Sequence, residues 1–223
     1  MQKNPSTRSR ILISLPFVLA LSAGCNTDPA KDKTKATVAE AVTAAPATPS
    51  PASATKYAFS ASGSKLEFIG AKVTGKHDGS FGAFSGTIDV VEGKPEKSSV
   101  NVEIETASVK ADNDKLTGHL KSPDFFDVAK YPKARFSSTS IAPLTGAAGG
   151  ATHTVTGNLE LHGVTKSISF PAKIQISADS VDVDAEFAIN RKDFAIVYPG
   201  APDDLVKDNV LITLTLRAGK ATS

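Results

Sequence analysis

Ser180-Val181-Asp182-Val183-Asp184-Ala185-Glu186-Phe187-Ala188-Ile189-Asn190 alternates apolar with polar residues along most of its length. Successive side chains of a strand point to opposite faces, so Val181, Val183, Phe187 and Ile189 share one face and the acidic residues take the other. The same period of two recurs on both sides of this stretch. It runs C-terminally through Val210, Ile212, Leu214 and Leu216, and N-terminally through Ile168, Phe170, Ile174 and Ile176, then Val155, Leu159 and Leu161. Further back it passes through Val100, Val102 and Ile104, then Phe84, Gly86, Ile88 and Val90, then Leu66 and Phe68. Polar residues on the alternate positions leave one side of the sheet wet. Glu92-Gly93-Lys94-Pro95 and His162-Gly163 separate runs at the short spacing of hairpins. The pattern predicts an all-β domain, and periodicity alone leaves a two-sheet sandwich and a closed barrel both open.

One helical patch interrupts the strands, near residues 112–121. Leu116 and Leu120 lie four residues apart on one face, and Asp112 or Asn113 can cap the start. Gly118 weakens this helix by about 1 kcal/mol relative to Ala, so its stability must come from packing. Ser122-Pro123-Asp124 then reads as a fresh cap with proline at the first helical position, turning Phe125 and Phe126 inward.

Two separated signatures frame this region. The first is Gly118-His119-Leu120-Lys121-Ser122-Pro123-Asp124-Phe125-Phe126-Asp127-Val128 running into Lys130-Tyr131-Pro132, and the second is Gly157-Asn158-Leu159-Glu160-Leu161-His162-Gly163-Val164-Thr165-Lys166. Phe81-Gly82-Ala83-Phe84 with Gly86, Ala134-Arg135-Phe136 and Phe187-Ala188-Ile189-Asn190-Arg191-Lys192-Asp193-Phe194 stand around them in order. From Tyr57 to Ala218 the chain resembles the YceI-like family, periplasmic or secreted lipocalin-like proteins associated with polyisoprenoids and other long amphiphiles. The resemblance implies an antiparallel barrel of about eight strands over residues 57–223, not an enzyme. It departs from the usual pattern at Ala195, where a glycine commonly follows the Phe of the Arg-x-Asp-Phe element.

The N-terminus reads as an export signal over residues 1–24. Lys3, Arg8 and Arg10 precede the apolar run from Ile11 to Leu21, and Ser22-Ala23-Gly24 leads to Cys25, the single cysteine of the chain. The run is short and broken by Pro16, unlike a membrane span. Small residues before a lone thiol resemble a bacterial lipobox, which makes Cys25 the expected lipid attachment site; acylation also removes a free thiol from an oxidising compartment. Residues 25–56 are rich in Ala, Thr, Pro, Ser and Lys, with few large apolar groups, and read as a lipidated, disordered tether. A coil of that length spans roughly 30 Å and stretches to roughly 90 Å. The expected location is the bacterial cell envelope, as an outer-membrane lipoprotein facing the periplasm.

The whole chain carries 25 basic and 23 acidic residues for a net +2, but residues 1–24 hold three basic and no acidic ones, so the processed chain carries −1. No basic run with interleaved aromatics occurs in the body, which argues against nucleic-acid binding. Gly82-Ala83-Phe84-Ser85-Gly86 lacks the Gly-x-Ser-x-Gly spacing of a nucleophile elbow. His77, His119, His153 and His162 show no metal-ligand spacing. The acidic pairs Asp124 with Asp127 and Asp203 with Asp204 have plainer roles in caps and turns. No catalytic residue, metal site or cofactor is expected. Arg191 and Asp193 are candidates for a structural pair at a barrel end.

A barrel of about eight strands either fills its lumen or holds one small ligand. With no Trp, three Tyr and small residues at the inward positions Gly86, Gly157 and Ala172, the interior is expected to be underfilled. Phe68, Phe84, Phe125, Phe126, Phe136, Phe187 and Phe194, with Leu120 and His119, are the expected ligand-binding residues, Leu120, Phe125 and Phe126 lying nearest the entrance. His119 either turns a polar group to the mouth or fixes the helix as a buried imidazole, while His162 serves the turn with Gly163. Two function classes follow. One is a barrel that carries or sequesters an isoprenoid, quinone-like lipid or similar long-chain amphiphile. The other is an envelope-stress or surface-interaction module that uses the barrel as a scaffold and the loops Thr145–Gly150 and Tyr198–Pro202 as contacts. A homodimer is left open.

Overall fold

The alternating segments become antiparallel strands that bend round and close on themselves. The computed structural model describes residues 28–42, 54–146 and 148–221. In chain order the strands are β1 (Thr37–Glu40), β2 (Ala54–Ser60), β3 (Lys65–Ala71), β4 (Lys76–Phe81), β5 (Phe84–Val91), β6 (Lys94–Glu105) and β7 (Val109–Ala111). Helix α1 (Asp114–Leu120) follows, then β8 (Lys133–Pro143), β9 (His153–Leu161), β10 (Val164–Ile176), β11 (Ser180–Asn190), β12 (Gly200–Ala201), β13 (Asp204–Leu205) and β14 (Asn209–Lys220).

Eight staves make the closed barrel. β10, β9, β8, β6, β5 and β2 pair in that order, β2 pairs β14, and β11 joins β14 back to β10. β3 continues the line of β2 along β14, after a short excursion at Ala61–Ser64. β4 and β7 likewise extend β5 and β6, with β3, β4 and β7 paired in series. Three staves are therefore each continued by a second strand, and α1 packs beside β7 at that end of the barrel. This closure decides for the barrel over the sandwich.

The local signals explain the joints. Glu92-Gly93 and His162-Gly163 both have positive φ at each residue, 53° and 66° in the first and 52° and 74° in the second, the type I′ geometry that matches strand twist. Gly163 is required twice over, because a Cβ there would also meet the Tyr131 ring. Tyr131 lies edge-on to His162 at 4.8 Å between centroids, and His162 Nδ1 donates to the Phe194 carbonyl at 3.3 Å. The conspicuous sequence signatures thus converge on one junction at the rim. Helix α1 is shorter than the predicted 112–121; Asn113 is its cap, its side chain accepting from Leu116 N at 2.8 Å. The segment after it forms hydrogen-bonded turns rather than a new helix, with Phe125 N and Asp127 N both donating to Ser122 O.

One half of the barrel is solid. Tyr57, Ile88, Val90, Ile141, Val155, Ala172, Val181 and Val183 are buried there. The small inward residues do not leave space, contrary to expectation. A Cβ at Gly86 would meet the Phe59 ring, and one at Gly157 the Phe136 ring, so neighbouring aromatics already cover both positions. Ala172 is fully buried.

The tether reading is corrected for its described part. Residues 28–42 lie against the barrel, with Thr37–Glu40 paired to β10 as a strand, and Ala54–Lys56 belong to β2. Composition reports apolar content, whereas this segment is held largely by backbone hydrogen bonds to strand edges, which any sequence can make. Cys25 and residues 43–53 lie outside the described residues.

Arg191 closes the rim. It begins the short turn Arg191–Phe194, and its partner is Asp208 at 3.5 Å rather than Asp193. The guanidinium also donates to the carbonyls of Ile196 at 2.7 Å, Lys207 at 3.0 Å and Val206 at 3.3 Å, stapling both ends of the 196–207 excursion. Burial pulls its pKa down from the ordinary arginine value, with Asp208 opposing. Arg191→Met keeps an unbranched apolar stem but strands those carbonyls, and urea denaturation is expected to show a loss of about 3 kcal/mol. Ala195, where the resembled pattern has glycine, sits at φ 56° and ψ 20° in the left-handed region. Non-glycine residues are disfavoured there by roughly 1–2 kcal/mol, so Ala195→Gly is expected to raise stability by about 1 kcal/mol in the same assay.

Candidate functional site

The half of the barrel toward α1 is hollow. Inward side chains of β3, β5, β6, β8, β9, β10, β11 and β14 surround a cavity of about 210 Å³ whose walls are almost entirely apolar. Phe68, Phe84, Phe136 and Phe187 line it from the strands, and Leu120, Phe125 and Phe126 line it beside α1. Phe136, Phe170 and Phe187 form a row across one wall, with Phe170 and Phe187 stacked at 4.2 Å and 14°. Phe68, Phe81 and Phe126 form a second cluster near the end, 5.4–6.4 Å between centroids.

Phe194 departs from expectation. It is fully buried, but it packs within the wall and does not reach the cavity. It ends the Arg191–Phe194 turn, and its side chain packs into the main interior cluster while its carbonyl meets His162. His119 is also outside the lumen. It lines a second hollow of about 480 Å³ that shares Phe68, Gly70, Leu120, Phe125 and Val206 with the first and so forms its vestibule. There His119 Nε2 lies 2.9 Å from the Asp124 carboxylate, while its ring meets Phe125 and Tyr198, each at 4.9 Å. It is not a buried strut: of the two expectations for it, the structure has the polar group at the mouth, as part of an aromatic lip.

The vestibule is polar where the lumen is not. His77 pairs with Asp112 at 2.9 Å, and that hydrogen bond holds the Asp112 carboxyl below the usual aspartate range. Lys72, with Thr74 assisting, does the same for Asp204. Lys115 lines the same hollow. A hollow with charged groups beside an apolar chamber suits a molecule with a polar head and a hydrocarbon tail, since few polar groups fix orientation while apolar walls take the bulk.

Several lining residues had no nominating signal. Phe81 and Phe170 were legible as inward-facing aromatics, within a quoted motif and an alternating strand. Ile196, Val206, Lys207 and Tyr198 belong to the excursion between β11 and β14, where no period exists to read. The Tyr198–Pro202 loop, expected as a contact surface, supplies Tyr198, Gly200 and Ala201 to the vestibule wall. Among the described residues no group of three or more His, Cys, Asp or Glu is placed to hold a metal.

Known proteins share this architecture. The crystal structure of BcnA from Burkholderia cenocepacia matches with a TM-score of 0.62 at 25% identity, covering 74% of this chain and 99% of that one. The Campylobacter jejuni YCEI protein matches at 0.51 and 25% identity, covering 65% and 85%, and one of its mutants holds a monobromobimane guest. A polyisoprenoid binding domain from Saccharophagus degradans, implicated in plant cell wall breakdown, matches at 0.58 and 19% identity, a likeness of fold alone, over 75% of this chain and 99% of that one. In sequence, the chain is 37% identical over 129 residues to a UPF0312 protein of Pseudomonas putida F1, covering 55% of this chain and 65% of the relative. It is 34% identical over 134 residues to one of Pseudomonas fluorescens SBW25, covering 57% and 68%. The chain therefore spans about two thirds of the length of these relatives. Residues 57–218 match the YceI-like domain, and with the closed barrel and its rim signatures in place the chain belongs to the YceI-like family.

Proposed function

We propose that this protein is an exported, lipid-anchored barrel that takes an isoprenoid, quinone or similar long-chain amphiphile into its lumen, tail inward and head in the vestibule. It acts as a carrier or sequestering protein and makes or breaks no bond. The apolar lumen lying beside a hollow that carries Lys72, His77, Lys115 and Asp204, with Phe68, Leu120 and Phe125 common to both, is the observation that carries this reading. Each methylene moved from water to such a lumen contributes about 0.8 kcal/mol, so a tail supplies affinity without any catalytic group. Val73 and Leu205 stand exposed beside the vestibule, joined by the Val73 N to Leu205 O hydrogen bond, and suit contact with an apolar donor surface.

Native mass spectrometry of the full processed chain, with organic extraction of what it releases, tests the cargo. A stoichiometric isoprenoid, quinone or fatty species is expected; an empty mass from several expression hosts would overturn the reading. Leu214→Trp places an indole in the lumen and is expected to cut binding of such a species by at least ~10-fold, about 1.4 kcal/mol, with the circular dichroism of the barrel unchanged. Anchoring is checked separately. Cys25→Ser is expected to move the protein from the membrane fraction to the soluble envelope fraction, and unchanged detergent partitioning would remove the anchor from the account.

A further inference from the structure

The wall of the lumen contains a piece that does not belong to the matched domain. β10 and β11 form a hairpin, yet they pair directly only at Lys173–Ile176 with Val181–Asp184, next to the turn. Beyond that point the two strands separate. β11 keeps its partner β14 through Asn190, and β10 keeps β9 back to Val164. The N-terminal segment occupies the seam between them. Thr37–Glu40 run antiparallel to Ser169–Lys166 of β10. On the other edge Ala36 N donates to Ala188 O at 2.8 Å, and Ala188 N donates to Thr34 O at 2.9 Å. The segment is thus hydrogen-bonded to both strands and acts as a ninth stave.

Its orientation turns two of its residues toward the interior. Val38 lies directly opposite Ile168, whose side chain lines the lumen, so Val38 faces inward with it. Ala36 shares that face, and both pack against the interior cluster. The residues flanking the seam, Ile168 and Phe170 on one side and Phe187 and Ile189 on the other, all line the cavity. Departure of the stave would leave a slot one strand wide, a spacing of ~4.8 Å, leading straight into the lumen. An extended hydrocarbon chain has that cross-section.

The stave is held lightly. Its ladder to β10 covers four residue pairs, and only Val38 among those four brings a large apolar side chain. Its ion pairs, Lys33 with Glu186 at 2.7 Å and Glu40 with Lys166 at 2.6 Å, are solvent-exposed and contribute little. Asn158 clamps the backbone of Val42 with two hydrogen bonds of 2.7 and 3.1 Å. Ala30, fully buried against Ala188 and Leu211 on the outer face, fixes the other end. Backbone hydrogen bonds of this number barely offset the ordering entropy of the residues that make them. The strands on either side have no such freedom, being joined by hairpins and long ladders. The lumen, about 210 Å³, is also smaller than the roughly 300–1,000 Å³ of ordinary small-molecule sites, so a long tail requires the wall to yield or the tail to extend outside.

We infer that residues 34–40 form a lateral gate, a removable stave whose opening admits and releases a hydrocarbon chain through the β10–β11 seam. This inference rests on the lumen as the tail site, and adds a route and a moving part to it. The stave swings between its anchor at Ala30 and its clamp at Val42, and its return seals the chain from water with Ala36 and Val38.

The test locks the stave without removing it. Thr37 and Ser169 are directly opposed on the outer face, and opposed positions in an antiparallel ladder, ~4.5 or ~5.5 Å apart, fall within disulfide range. Thr37→Cys with Ser169→Cys, in a Cys25→Ser background, is compared oxidised and reduced, so that each sample is its own control. The probe is 11-(dansylamino)undecanoic acid followed by stopped-flow fluorescence. Oxidation is expected to slow association and dissociation alike by ~10-fold or more, leaving affinity within ~3-fold, and reduction to restore both rates. Equal rates in the two states would overturn the gate and leave the vestibule as the route. Hydrogen exchange of the unsubstituted chain gives a readout that needs no ligand. The β1 amides are expected to exchange ~100-fold or more faster than those of the β9–β10 ladder. Equal protection overturns the gate even if the probe binds, whereas failure of the probe to bind the reduced protein overturns the lumen reading and the gate with it.

Discussion

Closure of the sheet depends on β14, because it is the strand with partners along both edges that turns an open meander into a barrel. β11 pairs with it over eleven residue pairs, while β3 and then β2 take its other edge. A strand edge left bare exposes donors and acceptors that must be satisfied, so the chain's last strand removes two edges at once. The cost appears next door. Having followed β14 to Asn190, β11 cannot also follow β10, and the seam between them must be filled by something else. The N-terminal segment answers the same requirement of backbone satisfaction that closed the rest.

The barrel has a solid half and a hollow half. In the solid half aromatic and branched side chains pack together, and even Gly86 and Gly157 are roofed by Phe59 and Phe136. Toward α1 the inward side chains of the same staves, with those of β3, leave a space between them. The cavity is therefore lined by large residues such as Phe68, Phe170 and Leu214 rather than by small ones. Volume at this site is set by the path of the backbone, with Arg191 pinning the 196–207 excursion and Asn113 capping α1 over the end.

Strict alternation made the strands and their inward faces legible, since a period of two assigns every side chain once one is placed. The inward sets from Leu66 to Leu216 line the lumen or fill the solid half as their parity requires. Closure was not legible from parity, which is the same for a sandwich face and a barrel face; the family resemblance supplied it. Phe194 lies off the lumen because β11 ends at Asn190 and the tight turn Arg191–Phe194 breaks the period of two before Phe194 is reached. The Val206 and Lys207 wall was invisible for the same reason, lying outside any period. β1 was missed because its sequence, Thr-Val-Ala-Glu, carries too little apolar surface to announce a strand, and its pairing is decided by edges made elsewhere in the chain.

The conspicuous sequence motifs are architectural rather than ligand-directed at their centre. Tyr131, His162, Gly163 and Phe194 come from three separate stretches and meet at one rim junction, where the Tyr131 ring excludes any side chain from the turn and His162 is spent on the Phe194 carbonyl. None of the four lines the lumen. A junction of this kind fixes the end of the β9–β10 hairpin against β8 and the start of the excursion, and so holds the chamber's rim rigid on that side. On the opposite flank of β10 the wall is finished by a segment with a short ladder and exposed ion pairs. The chamber thus has one edge built to stay and one held by little more than backbone hydrogen bonds, and a tail that must enter a closed barrel meets least resistance at the second.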